Sequence, residues 1–366
     1  MIFPLVLSLT ILLLTAMGLL RRENGMNLKT LLRHDDMTTD EIYMRRCIQL
    51  AKNGMRHAAP NPMVGAVVVY DGRIIGEGYH VRCGEGHAEV NALASVSDAD
   101  AVHLPESTIY VSLEPCAHYG KTPPCARLIV EKRLRRCVVG CIDPFSKVQG
   151  RGIEILREAG IEVTVGVLEE ECRALNKRFI TFHSLHRPFI TLKWAQTSDG
   201  FIGYKDHGPD HVLKISNAET QMLSHLRRSE HEAILVGRRT VECDNPSLTV
   251  RHWDGPDPLP VVLGRRELLE ASGVGYHLLR NPRTLFFCSV DEAVSGLYER
   301  GVQSLLVEGG ADVLQSFIDL GLWDEAYVET GVCKAGEGVA APRLSDEWLT
   351  GETLVGGHVV RSFRRG

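Results

Sequence analysis

The sequence predicts an α/β protein of two domains, and three observations carry that expectation. The chain has 366 residues, enough for two full-sized cores. In each half, β-branched apolar runs such as 64–70 and 233–237 are followed by segments whose apolar residues recur at helical spacing. A stretch around His183 to Pro188 reads as a linker between the halves. Strands that alternate with helices in this way build layered α/β architectures.

In the first half, Thr38 or Asp40 caps a helix whose apolar positions are Ile42, Cys47, Ile48 and Ala51, and Asn53-Gly54 ends it. Pro60-Asn61-Pro62 is a turn, 64–70 a buried strand, Asp71-Gly72 a hairpin turn and 73–79 the returning strand. His87 and Glu89 start a helix through Val90, Ala92, Leu93 and Ala94. A third strand over 107–113 delivers Glu114-Pro115-Cys116, and Cys125 opens a helix through Leu128, Ile129 and Val130. Strands over 136–142 and 162–165 flank a helix over 151–159.

Two helix starts and one strand end thereby bring His87, Cys116 and Cys125 together. One imidazole and two thiolates suffice for a catalytic Zn²⁺, because three protein ligands leave the fourth tetrahedral position open. Zinc lowers the pKa of its bound water toward ~7, and a carboxylate outside the ligand set can move that proton. Glu89, two residues beyond His87, fits this role. H-x-E followed by P-C-x-x-C is the signature of zinc-dependent base deaminases, although here eight residues separate Cys116 from Cys125. A closed structural zinc site or buried free thiols is the plainer alternative, and it leaves Glu89 unexplained.

Pro60-Asn61-Pro62-Met63-Val64-Gly65, His87-Ala88-Glu89, and Glu114-Pro115-Cys116 through Thr122-Pro123-Pro124-Cys125 together resemble the bifunctional riboflavin-biosynthesis deaminase-reductase family, in which the long gap is normal. The resemblance runs from about Glu41 nearly to the C-terminus. It implies a cytidine-deaminase-like three-layer α/β/α domain over 37–184 and a dihydrofolate-reductase-like α/β domain over 187–366. It also implies substrate contacts at Asn61, His80, Lys121 and Asp143. Phe145 stands where the family most often has asparagine, so that contact is not carried over.

In the second half, 189–195 is a strand, 217–229 a helix and 233–237 the next strand, followed by Arg238-Arg239-Thr240. The strand 304–307 passes through Glu308-Gly309-Gly310 into a helix over 312–320. No G-x-G-x-x-G follows these strands, so the Rossmann fingerprint is absent. The resemblance implies NADPH contacts at Lys193, Ser216, Gly237, Arg238, Arg239, Thr240, Gly309 and Gly310, although Lys214 replaces a tryptophan common beside Ser216. It implies substrate contacts at Arg227, Asp244, Leu248, Arg251 and Glu308, with Asp199 a further candidate for a ribose or the cofactor; guanidinium forks suit phosphate oxygens. Trp194, Trp253, Trp323 and Trp348 read as packing residues.

A formal charge of −5 gives no support for a nucleic-acid surface, and ten scattered cysteines suit a reducing compartment. The partner expected from the resemblance is a small phosphorylated pyrimidine, with no nucleic acid and at most further copies of the chain as a homo-oligomer. Residues 1–36 form an apolar extension, with Arg21-Arg22 after the run Ile2 to Leu20. It reads either as a membrane anchor or as an over-extended start, with translation beginning at Met26 or Met37; both leave the catalytic domains cytoplasmic. The rival functions are a tRNA or DNA base deaminase and a zinc-stabilised, membrane-anchored binding module.

Overall fold

The computed structural model describes residues 37–55, 57–117, 123–145, 149–205 and 212–365. The apolar extension 1–36 and Lys121 lie outside the described residues. Among the described residues no helix is long and apolar enough to cross a membrane.

The first sheet contains β1 (Gly65–Tyr70), β2 (Arg73–Tyr79), β3 (Thr108–Leu113), β4 (Arg136–Cys141) and β5 (Glu162–Val165) in the order β2-β1-β3-β4-β5. β1 pairs antiparallel with β2 and β3, while β3, β4 and β5 run parallel. Successive strand residues face opposite ways, and the two faces build two cores. Val68, Ile109, Val111, Cys137 and Val139 pack with Ala92, Ile129 and Leu156 from the helices Ala88–Ala94, Cys125–Glu131 and Arg151–Glu158. Val67, Val69, Tyr110 and Val138 pack on the other side with Met44, Cys47 and Ile48 of the helix Thr39–Ala51, and with Cys172. This is the expected three-layer arrangement. Thr38 and Glu41 form a reciprocal capping box at the start of the first helix.

The second sheet is larger. Its strands are β6 (Phe189–Gln196), β8 (Ala233–Gly237), β9 (Leu259–Leu263), β10 (Leu285–Phe287), β11 (Ser304–Val307), β12 (Glu325–Thr330), β14 (Leu349–Val355) and β15 (His358–Arg364), with β7 (Phe201–Gly203) and β13 (Val339–Ala340) forming a separate ribbon. The order is β10-β9-β8-β11-β6-β12-β15-β14, parallel from β10 through β12 and antiparallel thereafter.

Two expectations need correction. The stretch from His183 is not a linker throughout, because the helix Lys177–Leu185 buries Phe179 and Ile180 and carries His183 near its end; only 186–188 connects the halves. Trp253 is 41% exposed and does not pack in a core, whereas Trp194 and Trp323 are buried and Trp348 lies against Trp323.

Candidate active site

His87 is the N-cap of the helix Ala88–Ala94, Cys116 lies just beyond β3, and Cys125 is the first residue of its helix. Their ligand atoms all lie within 4.8 Å of one another. Nδ1 of His87 is 3.5 Å from Sγ of Cys116 and 3.4 Å from Sγ of Cys125, and the Cys125 amide donates to Cys116 Sγ at 3.3 Å. The thiol of Cys125 and the amide and imidazole beside it hold Cys116 down to about 4, while sharing that proton and burial push Cys125 up. Two thiol sulfurs and one imidazole nitrogen pointing at a common centre fit the donor preferences of Zn²⁺, which deprotonates coordinating thiols.

Glu89 is 3% exposed in the first turn of the same helix. Burial first, and then the neighbouring Cys116 thiolate, push its carboxyl up to about 7, with His87 opposing. A cation at the thiols favours the ionised carboxylate and so acts against that rise. Glu89 lines a cavity of about 350 Å³ together with Asn61, His80, Cys116 and Asp143. Asn61 Nδ2 meets His80 Nε2 at 3.1 Å, and His80 Nδ1 meets the Gly86 carbonyl at 3.1 Å. The amide donor and the carbonyl acceptor select the neutral tautomer protonated on Nδ1, and burial, which lowers the His80 pKa, favours the same form. Burial also pushes Asp143 up to about 6. Phe145 lies against His183, which in turn meets Phe179, and all three line the cavity.

Two positioning groups had no local signal in the sequence. Glu114 accepts from the amides of Asp143 at 3.3 Å, Gly150 at 2.9 Å and Gly152 at 2.9 Å, tying the loop that carries Asp143 to the segment that carries Cys116. A side chain on Gly152 would put its Cβ 1.9 Å from the Pro115 carbonyl oxygen, so the two segments meet backbone to backbone. Asn176 holds Met63 at both its amide and its carbonyl, each at 2.8 Å.

In the second sheet, Gly237 ends β8 and Gly309-Gly310 follow β11, its parallel neighbour. A Cβ on Gly309 would lie 2.6 Å from Cα of Val236, so the turn after β11 packs directly on β8. Arg238 pairs with Glu242 one turn on, and Arg239 is exposed. The Glu308 side chain, 9% exposed, ion-pairs with Arg228 at 2.6 Å; desolvation would raise its pKa, but Arg228 and Lys193 together lower it. The Lys193 ammonium is depressed by burial, with Glu308 and Glu329 opposing. Lys193, Thr220, Arg227, Tyr327 and Glu329 line a small pocket together with Leu223 and Val360, and the Arg227 guanidinium stacks over Tyr327 at 3.7 Å. Glu329 accepts from Ser216, Thr220 and His358, each at 2.7 Å. The Ser216 hydroxyl therefore already has a protein partner. Asp199 accepts from Thr197 and from the amides of Ala335 and Gly336, which hold it down to about 2. Leu248 is buried in the core cluster that includes Val236 and Val241, so its side chain packs rather than faces a ligand. Asp244 and Arg251 are exposed, and the Arg251 amide donates to His225 Nδ1 at 3.1 Å.

Residues 37–141 match the family model of the cytidine and deoxycytidylate deaminase zinc-binding region, and residues 188–333 match that of the RibD C-terminal domain. The chain is 37% identical over 324 residues to the riboflavin biosynthesis protein RibD of Aquifex aeolicus, covering 82% of this chain and 89% of the relative. It is 35% identical over 336 residues to RibD of Bacillus amyloliquefaciens, with coverages of 83% and 87%. Among solved structures, the diaminohydroxyphosphoribosylaminopyrimidine deaminase/5-amino-6-(5-phosphoribosylamino)uracil reductase of Thermotoga maritima superposes with a TM-score of 0.79 at 35% identity, covering 90% of this chain and 99% of that one. Acinetobacter baumannii RibD gives 0.78 at 29% identity, with coverages of 89% and 98%.

Proposed function

Because the chain belongs to the RibD family of zinc-dependent deaminases fused to NADPH-dependent reductases of riboflavin biosynthesis, we propose that His87, Cys116 and Cys125 hold the zinc and that Glu89 moves the protons of deamination. The observation that carries this assignment is the convergence of the three ligand atoms within 4.8 Å, with His87 and Cys116 sharing a cavity wall with a buried carboxylate that is outside the ligand set. Zinc, when bound, supplies a Lewis acid that brings water's pKa near neutrality. Glu89 accepts a proton from the attacking water and returns protons to the ring nitrogen and the departing amine. Asn61, His80, Lys121 and Asp143 orient the diaminopyrimidinone of the ribosyl phosphate.

When bound, NADPH would supply the hydride for the opened ribose carbon, whose oxygen takes up a proton, so that the product is the ribityl phosphate. We assign its cradle to Lys193, Ser216, Gly237 through Thr240, Gly309 and Gly310. Arg227, Asp244, the Leu248 backbone, Arg251 and Glu308 are assigned to the substrate chain and its phosphate. The catalytic halves are assigned to 37–184 and 187–366, acting in the cytoplasm. Incubating the protein with the pyrimidinone ribosyl phosphate, free nucleosides and an RNA hairpin, and assaying ammonia, tests the deaminase; only the first should release it.

Arg238 and Arg239 follow the strand end where a ribose phosphate would lie. Replacing both by alanine should raise the KM for NADPH about 10- to 100-fold, the size of one lost charge-assisted contact, and leave that for NADH nearly unchanged. Equal effects on both cofactors would move the 2′-phosphate site elsewhere.

A further inference from the structure

We infer that Gln303, from the second sheet, is a positioning residue of the deaminase site; this rests on the deaminase reading above. Pro60, Asn61 and Pro62 form one wall of the cavity that contains Glu89 and Cys116, with Asn61 set against His80, and Met63 follows them. Prolines at 60 and 62 remove two backbone donors, so the segment has little with which to tie itself down. Its own tie is the Asn61 amide to the Ala58 carbonyl at 2.9 Å. Two carboxamide side chains from beyond the first sheet hold the rest: Asn176 clamps Met63, and Gln303 Nε2 donates to the Pro60 carbonyl at 2.7 Å across 243 positions of sequence.

Gln303 is itself firmly set. It is 6% exposed, its amide donates to Glu232 Oε2 at 3.0 Å, and its carbonyl accepts from Phe189 at 2.9 Å. A second contact joins the halves: the Tyr298 ring, in the helix that precedes β11, lies 4.7 Å from Phe182 and 5.7 Å from His186. Gln303 also lines the cavity that contains Glu89 and Cys116. It precedes β11, whereas Glu308-Gly309-Gly310 follow the other end of that strand, roughly 16 Å away at the rise of an extended chain. One end of β11 thus faces the proposed reductase cradle and the other closes the deaminase cavity.

The test is kinetic and uses the full chain. Gln303→Leu should raise the KM for the pyrimidine in ammonia release about three- to tenfold, the effect of one buried hydrogen bond. Its kcat should stay within about twofold of wild type, because the zinc ligands and Glu89 are untouched. Zinc content and reduction of supplied deaminated intermediate should not change. Gln303→Glu, which sets an acceptor against the Pro60 carbonyl, should raise KM further. Gln303→Met, of similar length and lacking the donor, carries the test should the leucine variant not fold. A folded, zinc-loaded variant with unchanged KM, or an equal loss of both activities, overturns the inference. Failure of the wild-type protein to release ammonia would instead overturn the deaminase reading on which it rests.

Discussion

Glu89→Gln should slow ammonia release by about 10⁴-fold or more while the protein keeps its fold and its zinc. General acid-base groups contribute about 10²–10⁴ in rate, and one used for more than a single transfer belongs at the upper end. Glutamine matches the carboxyl in shape, so the 3% exposed position gains neither a cavity nor a clash. It also removes a titrating group rather than a ligand, because the metal cluster is complete without it. Given already deaminated substrate and NADPH, the variant should reduce it at nearly the wild-type rate, since the assigned reductase residues lie on a different sheet. Asp244→Asn should do the converse, deaminating normally and accumulating the unreduced ribosyl product. Loss of reduction in a folded Glu89→Gln protein would replace two separate sites with one shared site.

Cys116→Ser should abolish zinc binding and deamination together. The Cys125 thiol and amide and the His87 imidazole lower the pKa of Cys116 and so favour its thiolate, the form that ligates, and the Cys125 amide is already directed at its sulfur. A serine hydroxyl does not ionise near neutral pH, and the two remaining groups cannot complete a three-ligand set. The fold should survive, because the two cores of the first sheet are apolar layers outside the cluster. Metal analysis and ammonia assay on the purified variant decide the matter; stoichiometric zinc in Cys116→Ser would mean that the ligands are wrongly assigned.

The parts of this molecule that were legible in the sequence are those written by local rules. The threonine and aspartate before Glu41 announced a helix start, Asp71-Gly72 a hairpin, and the spacing of His87, Glu89, Cys116 and Cys125 a cluster of metal-ligating side chains beside a carboxylate. The helix Lys177–Leu185 was missed because its polar C-terminal end, running into His186 and Pro188, resembles a connection. β14 is exposed along almost its whole length and so lacks the apolar run that marks a buried strand. Glu114, Asn176, Gln303 and Glu329 were illegible for a different reason. Each acts through hydrogen bonds to residues between 29 and 243 positions away, and no pattern within a short window encodes such a partner.

The latch made by Glu114 has a consequence for how this enzyme can diverge. Its carboxylate fixes the loop after β4 at Asp143, Gly150 and Gly152, and the backbone of Gly152 is pressed against Pro115. Those points tie the loop to the segment that carries Cys116, two residues from Glu114, so a side chain at 152 would displace Cys116 along with the loop. Phe145 follows the first of these fixed points, with its amide donating to Asp143 Oδ1 at 2.8 Å and its ring on the cavity wall against His183. A new side chain there would reshape the wall while the three amides held by Glu114 stay where they are. Libraries aimed at altering which pyrimidines are accepted should vary position 145 and leave Glu114 and Gly152 alone.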